Sequence, residues 1–136
     1  MKRKPKGLKW EEYLTPEDHL QMQVMQYLKL QYPNILAVHI PNEGKRSLFE
    51  RWKSKILGIK RSMPDLLIFK RIKFPLDIMT NEYYEHSGLA IEFKIKPNKP
   101  TYEQLRILGY LQEEGWDTKI CYTFDEAKEI IDFYLT

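Results

Sequence analysis

The sequence contains one cysteine, Cys121, among 136 residues. A single cysteine excludes an intramolecular disulfide and a zinc site built from several thiolates, and it fits a reducing compartment. No segment approaches the roughly 18 consecutive apolar residues that a membrane span needs. No apolar stretch follows the basic N terminus, as it would in a secretory signal. We therefore expect a cytoplasmic protein without a membrane partner.

Linkers rich in glycine or serine, internal repeats and low-complexity tracts are also lacking. Hydrophobic residues make up 43% of the chain and charged residues 30%. This balance is typical of a globular protein with one core, and the length suits a single domain. We therefore predict one domain over residues 15–136, preceded by a basic N-terminal arm over residues 1–14.

Positive charge is concentrated in the first half of the chain. Residues 1–61 contain 13 Lys and Arg against 6 Asp and Glu, a net charge of +7. Residues 62–136 contain 9 against 13, a net charge of −4, and the two halves sum to +3. A basic half suits a polyanion such as nucleic acid, but it suits an ordinary solvated surface equally well. Charge alone leaves both interpretations open.

Local signals predict an α/β order of elements. Thr15 and Pro16 are residue types favoured at the N-cap and first position of a helix. Capping-box spacing at residues 101–104 and 123–126 predicts two further helices. Apolar patterns predict strands over residues 35–40, 66–69, 89–95 and 116–122, and a short basic helix over residues 47–57. The predicted class is α/β, with a central mixed β-sheet flanked by helices.

Residues 71–87 form a longer connection whose role the sequence leaves open. Ile72, Phe74, Leu76 and Ile78 alternate with other residues there, which indicates that part of the segment is a strand. The alternating side chains fit the core of a hairpin, and they fit a dimer surface.

Two carboxylates occupy unusual places for acidic residues. Asp65 follows Pro64 directly before a wholly apolar strand, and Glu92 lies inside another strand. A carboxylate on a central strand is unfavourable unless a cation compensates its charge. Lys94 is two residues beyond Glu92 on the same strand face, roughly 7 Å along the strand. These residues are therefore candidates for chemistry.

If Asp65, Glu92 and Lys94 meet at one end of the sheet, they form a hard-cation site beside a fixed positive charge. Mg²⁺ prefers oxygen ligands, lowers the pKa of bound water and neutralises charge on a phosphate. A lysine can orient the attacking water or stabilise the transition state. The alternative is a weak Glu92–Lys94 salt bridge on a solvated strand face, which the pair alone favours. The three residues together favour phosphodiester hydrolysis.

The combined pattern of Pro64 and Asp65, followed by Glu92, Phe93 and Lys94, resembles the PD-(D/E)XK nuclease signature. The sequence is similar to the virus-type replication-repair nuclease family, VRR-NUC, within that superfamily, and in particular to its stand-alone viral and phage members. The matching positions are Glu17, residues 39–42, residues 63–65, residues 91–94 and Gln104, within about residues 15–135.

The resemblance implies a restriction-endonuclease-like core and an endodeoxyribonuclease that requires Mg²⁺ or Mn²⁺. It implies metal ligation by Asp65, Glu92 and the backbone carbonyl of Phe93, with Lys94 as a catalytic residue. It also implies that Glu17 helps to hold the metal or its waters.

Three positions have a structural explanation beside the functional one, and a fourth departs from the family pattern. Glu17 lies in a first helical turn, where an acid simply favours the helix dipole. Gln104 is the last residue of a capping box, and the resemblance adds a catalytic role in contact with the active-site lysine or a water. His39 is either a satisfied core histidine or a contact to phosphate or a metal-bound water. Ser62 stands where the family usually has glycine, which leaves the local backbone geometry open.

Further basic and polar residues are candidate DNA contacts. Such residues usually form a solvated face, but on a nuclease they also clamp the phosphate backbone. The candidates are His39, Asn42, Lys45, Arg46, Lys60 and Arg61, with Lys53 and Lys55 as additional basic residues.

Three functions are open at this point. Stand-alone members of the resembled family look like homodimeric Holliday-junction resolvases, so the resemblance implies a homodimer that cleaves branched DNA during recombination or repair, for example in a phage-infected bacterial cell. We expect no appended DNA-recognition domain, which suits recognition of shape rather than sequence. The alternatives are a monomeric nuclease acting on flaps or single strands, and a non-catalytic nucleic-acid-binding module.

Overall fold

The computed structural model describes residue 7, residues 9–41 and residues 47–136. The elements in chain order are a 3₁₀ turn at Trp10–Tyr13, α1 at Pro16–Gln31, β1 at Leu36–His39, α2 at Leu48–Ile56, β2 at Leu66–Phe69, β3 at Ile72–Asp77, β4 at Glu82–His86, β5 at Leu89–Phe93, α3 at Tyr102–Glu113, β6 at Asp117–Cys121 and α4 at Phe124–Leu135. Within the described ranges, no helix is both long enough and apolar enough to cross a membrane.

Four strands form a mixed sheet in the order β1-β2-β5-β6. The pairs β1–β2 and β2–β5 are antiparallel, whereas β5–β6 is parallel. Helices α1 and α4 contact each other, and they contact β5 and β6 respectively, while α3 contacts β6. Side chains from α1, α4 and the sheet form one buried apolar cluster. The predicted α/β class, with a central mixed sheet flanked by helices, is confirmed.

Helix starts follow the local signals closely, with one exception. Thr15 Oγ1 accepts the Asp18 N–H and the Asp18 carboxylate accepts the Thr15 N–H, which completes a capping box at the start of α1. At the start of α4, Thr123 Oγ1 accepts the Glu126 N–H, as predicted. The Glu126 carboxylate, however, accepts the N–H of Tyr122 at 2.7 Å. The predicted reciprocal box is wrong there, because the carboxylate reaches one residue further back.

The segment 71–87 is a separate hairpin of β3 and β4. Phe74 on β3 stacks on Tyr84 of β4, with ring centroids 6.3 Å apart. The hairpin is therefore confirmed, with Ile72 and Phe74 partly buried, but Leu76 and Ile78 are exposed and do not belong to its core. Strand β4 was not predicted, because its sequence lacks the alternation of apolar and polar residues that marks a half-buried strand.

Candidate active site

The antiparallel register of β2 and β5 brings the two candidate carboxylates together. Leu66 pairs with Ile91, so Asp65, just before β2, lies beside Glu92 near the end of β5. Asp65 is 5% exposed and Glu92 is 1% exposed. The interpretation of Glu92 as part of a solvated strand face is therefore wrong. Sheet pairing supplies this proximity across 27 positions of sequence.

Backbone groups hold Asp65 in place on both sides. One carboxylate oxygen, Oδ2, accepts the N–H of Phe93 at 2.8 Å. Its backbone carbonyl accepts the N–H of Ile40 at 3.0 Å and lies 2.8 Å from Nδ1 of His39. Because a carbonyl can only accept, Nδ1 carries the proton. His39 is exposed at the edge of the site, so it is not a buried core histidine.

Two side chains converge on Glu92. Its Oε1 accepts the amide Nε2 of Gln104 at 2.9 Å and lies 3.5 Å from Nζ of Lys94. The other end of the same amide, Oε1 of Gln104, accepts the N–H of Thr101 at 2.9 Å and closes the capping box of α3. Gln104 therefore has both a capping contact and a site contact. Its partner in the site is Glu92, whose same oxygen lies 3.5 Å from Nζ of Lys94.

Burial disfavours ionisation of these acids, and the charge of Asp65 adds to that effect at Glu92 and Glu17. Burial, followed by the charge of Asp65, raises the pKa of Glu92 to about 8, and Lys94 opposes that rise. Burial also raises the pKa of Asp65, against the hydrogen bond from Phe93. The pKa of Glu17 is raised by burial and then by the charge of Asp65. Three acids therefore share one electrostatic environment, with Lys94 as a nearby cation.

The donor chemistry fits a hard divalent cation. Burial raises the pKa values of both carboxylates, so both gain from an added positive charge, and their oxygens are the ligands that Mg²⁺ and Mn²⁺ prefer. Within the described part of the chain, no group of three or more His, Cys, Asp or Glu side chains is arranged to hold a metal. The adjacent pair of Asp65 and Glu92 is therefore the candidate, and Glu17 interacts with it electrostatically.

Ser62 keeps the backbone geometry that glycine would favour. Its φ is 64°, in the left-handed region that residues other than glycine rarely adopt. The turn before Asp65 therefore has the conformation that a glycine in this position would allow, with a modest local strain from the serine.

The candidate DNA contacts are only partly within the described residues. Lys60 and Arg61 are exposed in the segment that leads from α2 to Asp65. Asn42, Lys45 and Arg46 lie outside the residues that the structure describes.

Sequence reasoning did not select Arg51 and Trp52 as site residues. With Lys55 and Arg61, they line an open cleft of about 540 Å³ beside α2. The available signal was the alternation of basic and aromatic residues along a short helix, which also occurs on ordinary solvated faces.

Comparison with known proteins identifies the fold. Neither a family model nor a curated protein matches the sequence. A solved structure described as a "VRR_NUC domain protein" is 24% identical with a TM-score of 0.67, and the match covers 90% of this chain and 89% of that chain. A second, described as "VRR_NUC domain", is 18% identical with a TM-score of 0.55, and the match covers 89% and 99%. The chain therefore has the restriction-endonuclease-like fold of solved VRR-NUC domains, as the sequence resemblance implied.

Proposed function

We propose that this protein is a divalent-metal-dependent DNA endonuclease that hydrolyses phosphodiester bonds. The observation that carries the proposal is the pair of buried carboxylates, Asp65 and Glu92, side by side at one end of the sheet with Lys94 on the same site. A buried pair of acids is costly for folding, and a bound cation offsets that cost. The shared fold with VRR-NUC domains supports the same reaction class.

The contacts of each residue suggest its role in the reaction. Asp65 and Glu92 would hold Mg²⁺ or Mn²⁺, together with the Phe93 carbonyl, and Glu17 would hold a metal-bound water. The bound cation supplies a water of lowered pKa and neutralises charge on the scissile phosphate. Lys94 places an ammonium beside Glu92. There it would orient the attacking water or stabilise negative charge on the oxygens of the pentacoordinate transition state.

Neighbouring side chains and backbone N–H groups hold these residues in position. Gln104 holds Glu92 in one orientation, because its amide is itself anchored to the start of α3. Backbone N–H groups hold Asp65 from both sides. His39 keeps its Nδ1 on the Asp65 carbonyl, and its Nε2 would contact a phosphate or a water.

Branched DNA is the proposed substrate and a homodimer the proposed assembly. The basic residues Lys60 and Arg61 precede Asp65 and would contact the phosphate backbone independently of sequence. The hairpin exposes three apolar side chains, Leu76, Ile78 and Met79, which would be covered in a dimer. Two symmetric active sites would cut two strands of a four-way junction, as a Holliday-junction resolvase does.

The test compares metal-dependent cleavage of plasmid, flap and four-way-junction DNA in Mg²⁺, Mn²⁺ or EDTA. We expect nicking that requires the metal, that is fastest on branched substrates, and that falls about 10²- to 10³-fold in Lys94→Ala. Lys96→Ala, two residues further along and exposed, is the matched control with wild-type activity.

Asp65→Asn and Glu92→Gln should each abolish detectable cleavage while the protein stays folded by circular dichroism. Wild-type rates in both variants would refute the proposed active site. DNA binding without any metal-dependent product would identify a non-catalytic module. Light scattering separates the proposed dimer from a monomeric flap nuclease.

A further inference from the structure

Helix α2 exposes an apolar face that amphipathic helices normally bury. None of its residues is buried, and Leu48, Phe49 and Trp52 are 82%, 65% and 57% exposed. Phe49 lies against Trp52 with ring centroids 6.0 Å apart. A stable helix that leaves an indole in solvent has an available surface for a flat ligand.

Cationic side chains line the cleft that contains the indole. Arg51, Lys55 and Arg61 line the same cleft of about 540 Å³ as Trp52, and none of the described residues that line it is acidic. This volume lies within the range of sites that bind small organic groups. An open cleft with an aromatic wall and three positive charges has the chemistry to bind an anion that also carries a π-face.

A second cleft adjoins this one near the residues that precede β2. It has a volume of about 490 Å³ and shares Ser54 and Ile59 with the first. Its far end is lined by Ile40 and Met63. Ile40 donates its N–H to the carbonyl of Asp65, so a residue that lines the second cleft contacts the backbone of Asp65.

Charge decides which occupant suits the surface. Residues 48–61 carry five Lys and Arg against one Glu, a net charge of +4. A second copy of the chain placed symmetrically on this face would bring like charges together. A phosphodiester strand supplies the opposite charge, and an unpaired base supplies a flat ring for the indole, whereas a paired base in a duplex keeps its faces stacked.

We propose that the α2 cleft binds an unpaired nucleotide of single-stranded or branched DNA, with its base stacked on Trp52 and its phosphates held by Arg51, Lys55 and Arg61. The inference rests on the proposed function only in taking DNA as the ligand. It adds a specificity element, because unpaired nucleotides occur at flaps, forks and single-stranded ends and are lacking in continuous duplex. The adjoining cleft would carry the strand from this nucleotide toward Ile40, which bonds to the backbone of Asp65.

The test measures binding by the full-length protein in EDTA, so that no strand is cut. The probes are a fluorescent oligothymidylate of about 12 nucleotides and a blunt duplex, both followed by anisotropy. We expect Trp52→Ala to weaken oligothymidylate binding about tenfold or more, because stacking on an aromatic ring is lost. Duplex binding should change less than about twofold, and Trp52→Phe should keep most of the affinity.

Leu48→Ala is the matched control, since Leu48 is a more exposed apolar residue of the same helix and lies outside the cleft. It should bind both probes like the wild type. Arg61→Ala should reduce the slope of log affinity against log salt for oligothymidylate by about 0.7, the value for one phosphate contact on a single strand.

Wild-type binding of oligothymidylate by Trp52→Ala would overturn the inference, as would an equal loss in Leu48→Ala. A Trp52-dependent dimer in light scattering, with unchanged oligothymidylate binding, would overturn it in favour of a protein contact. These outcomes are independent of catalysis. Metal-dependent cleavage with no role for Trp52 refutes only this inference, and Trp52-dependent binding without metal-dependent cleavage refutes only the proposed enzyme.

Discussion

The inner strands of the sheet and helix α2 both depart from the usual pattern of apolar residues inside and charged residues outside. The strands bury acids, whereas the helix exposes apolar side chains. Strands β2 and β5 enclose two acids, Asp65 and Glu92, among fully buried apolar residues. Helix α2 leaves a leucine, a phenylalanine and a tryptophan in solvent among basic residues. Folding alone favours neither arrangement, because charge is costly in a core and apolar surface is costly in water. Both regions are therefore where ligands are expected, a cation in the first and an unpaired nucleotide in the second.

The largest expected effect tests whether stability resides in the sheet and not in α2. Phe93→Ala should lower the free energy of unfolding by about 3–5 kcal/mol, because it leaves a cavity in the core. Leu48→Ala should change it by less than about 0.5 kcal/mol, because the side chain is already in water. Urea denaturation followed by circular dichroism measures both. A cost above 1 kcal/mol for Leu48→Ala would show that α2 is packed against something in solution.

The next effect tests how much ionisation of the buried acids destabilises the folded protein, measured as the dependence of stability on pH. The pKa of Glu92 is raised from its usual 4.5 to about 8 in the folded protein, so its contribution to stability is complete below pH 4.5 and is lost as pH rises through 8. Metal-free wild type should therefore lose stability between pH 5 and 9. Glu92→Gln should lose less and have a Tm higher by roughly 5 °C at pH 9.

Glu113→Gln replaces an exposed acid on α3 and is the control, with the wild-type pH profile. Thermal melts in EDTA across this pH range give the comparison. Part of the slope should persist in Glu92→Gln, because burial also raises the pKa of Asp65. If Glu92→Gln has the same dependence of Tm on pH as the wild type, then ionisation of Glu92 does not destabilise the core.

The smallest effect tests the contact that joins α3 to the site. Gln104→Glu retains an oxygen for the Thr101 N–H, so the capping box and the helix should persist. It removes the donor to Glu92 and adds another negative charge, so we expect cleavage to fall about tenfold with unchanged helix content. Gln112→Glu, on the same helix and bonded to Thr118 instead, should cleave at the wild-type rate. Equal rates in all three proteins would remove Gln104 from the proposed site.

The local elements were predictable because their causes lie within a few residues. Thr15 and Thr101 each start a helix through a bond to the residue three positions on, and both bonds are present. The apolar run of β2 was sufficient to predict a buried strand. Strand β4 was missed, because its pairing with β3 depends on contacts that its own composition does not signal.

What the amino-acid order alone determined is the helices and the strands of the central sheet, the α/β class and the residue types available for chemistry. It did not determine whether Glu92 lies in solvent or in the core, since Glu-x-Lys is compatible with both. The register of β2 on β5 decided that, by placing Asp65 beside Glu92 and burying both. The packing of α3 likewise decided that the amide of Gln104 reaches Glu92. These contacts join residues far apart in sequence, and only the folded chain brings them within hydrogen-bonding distance.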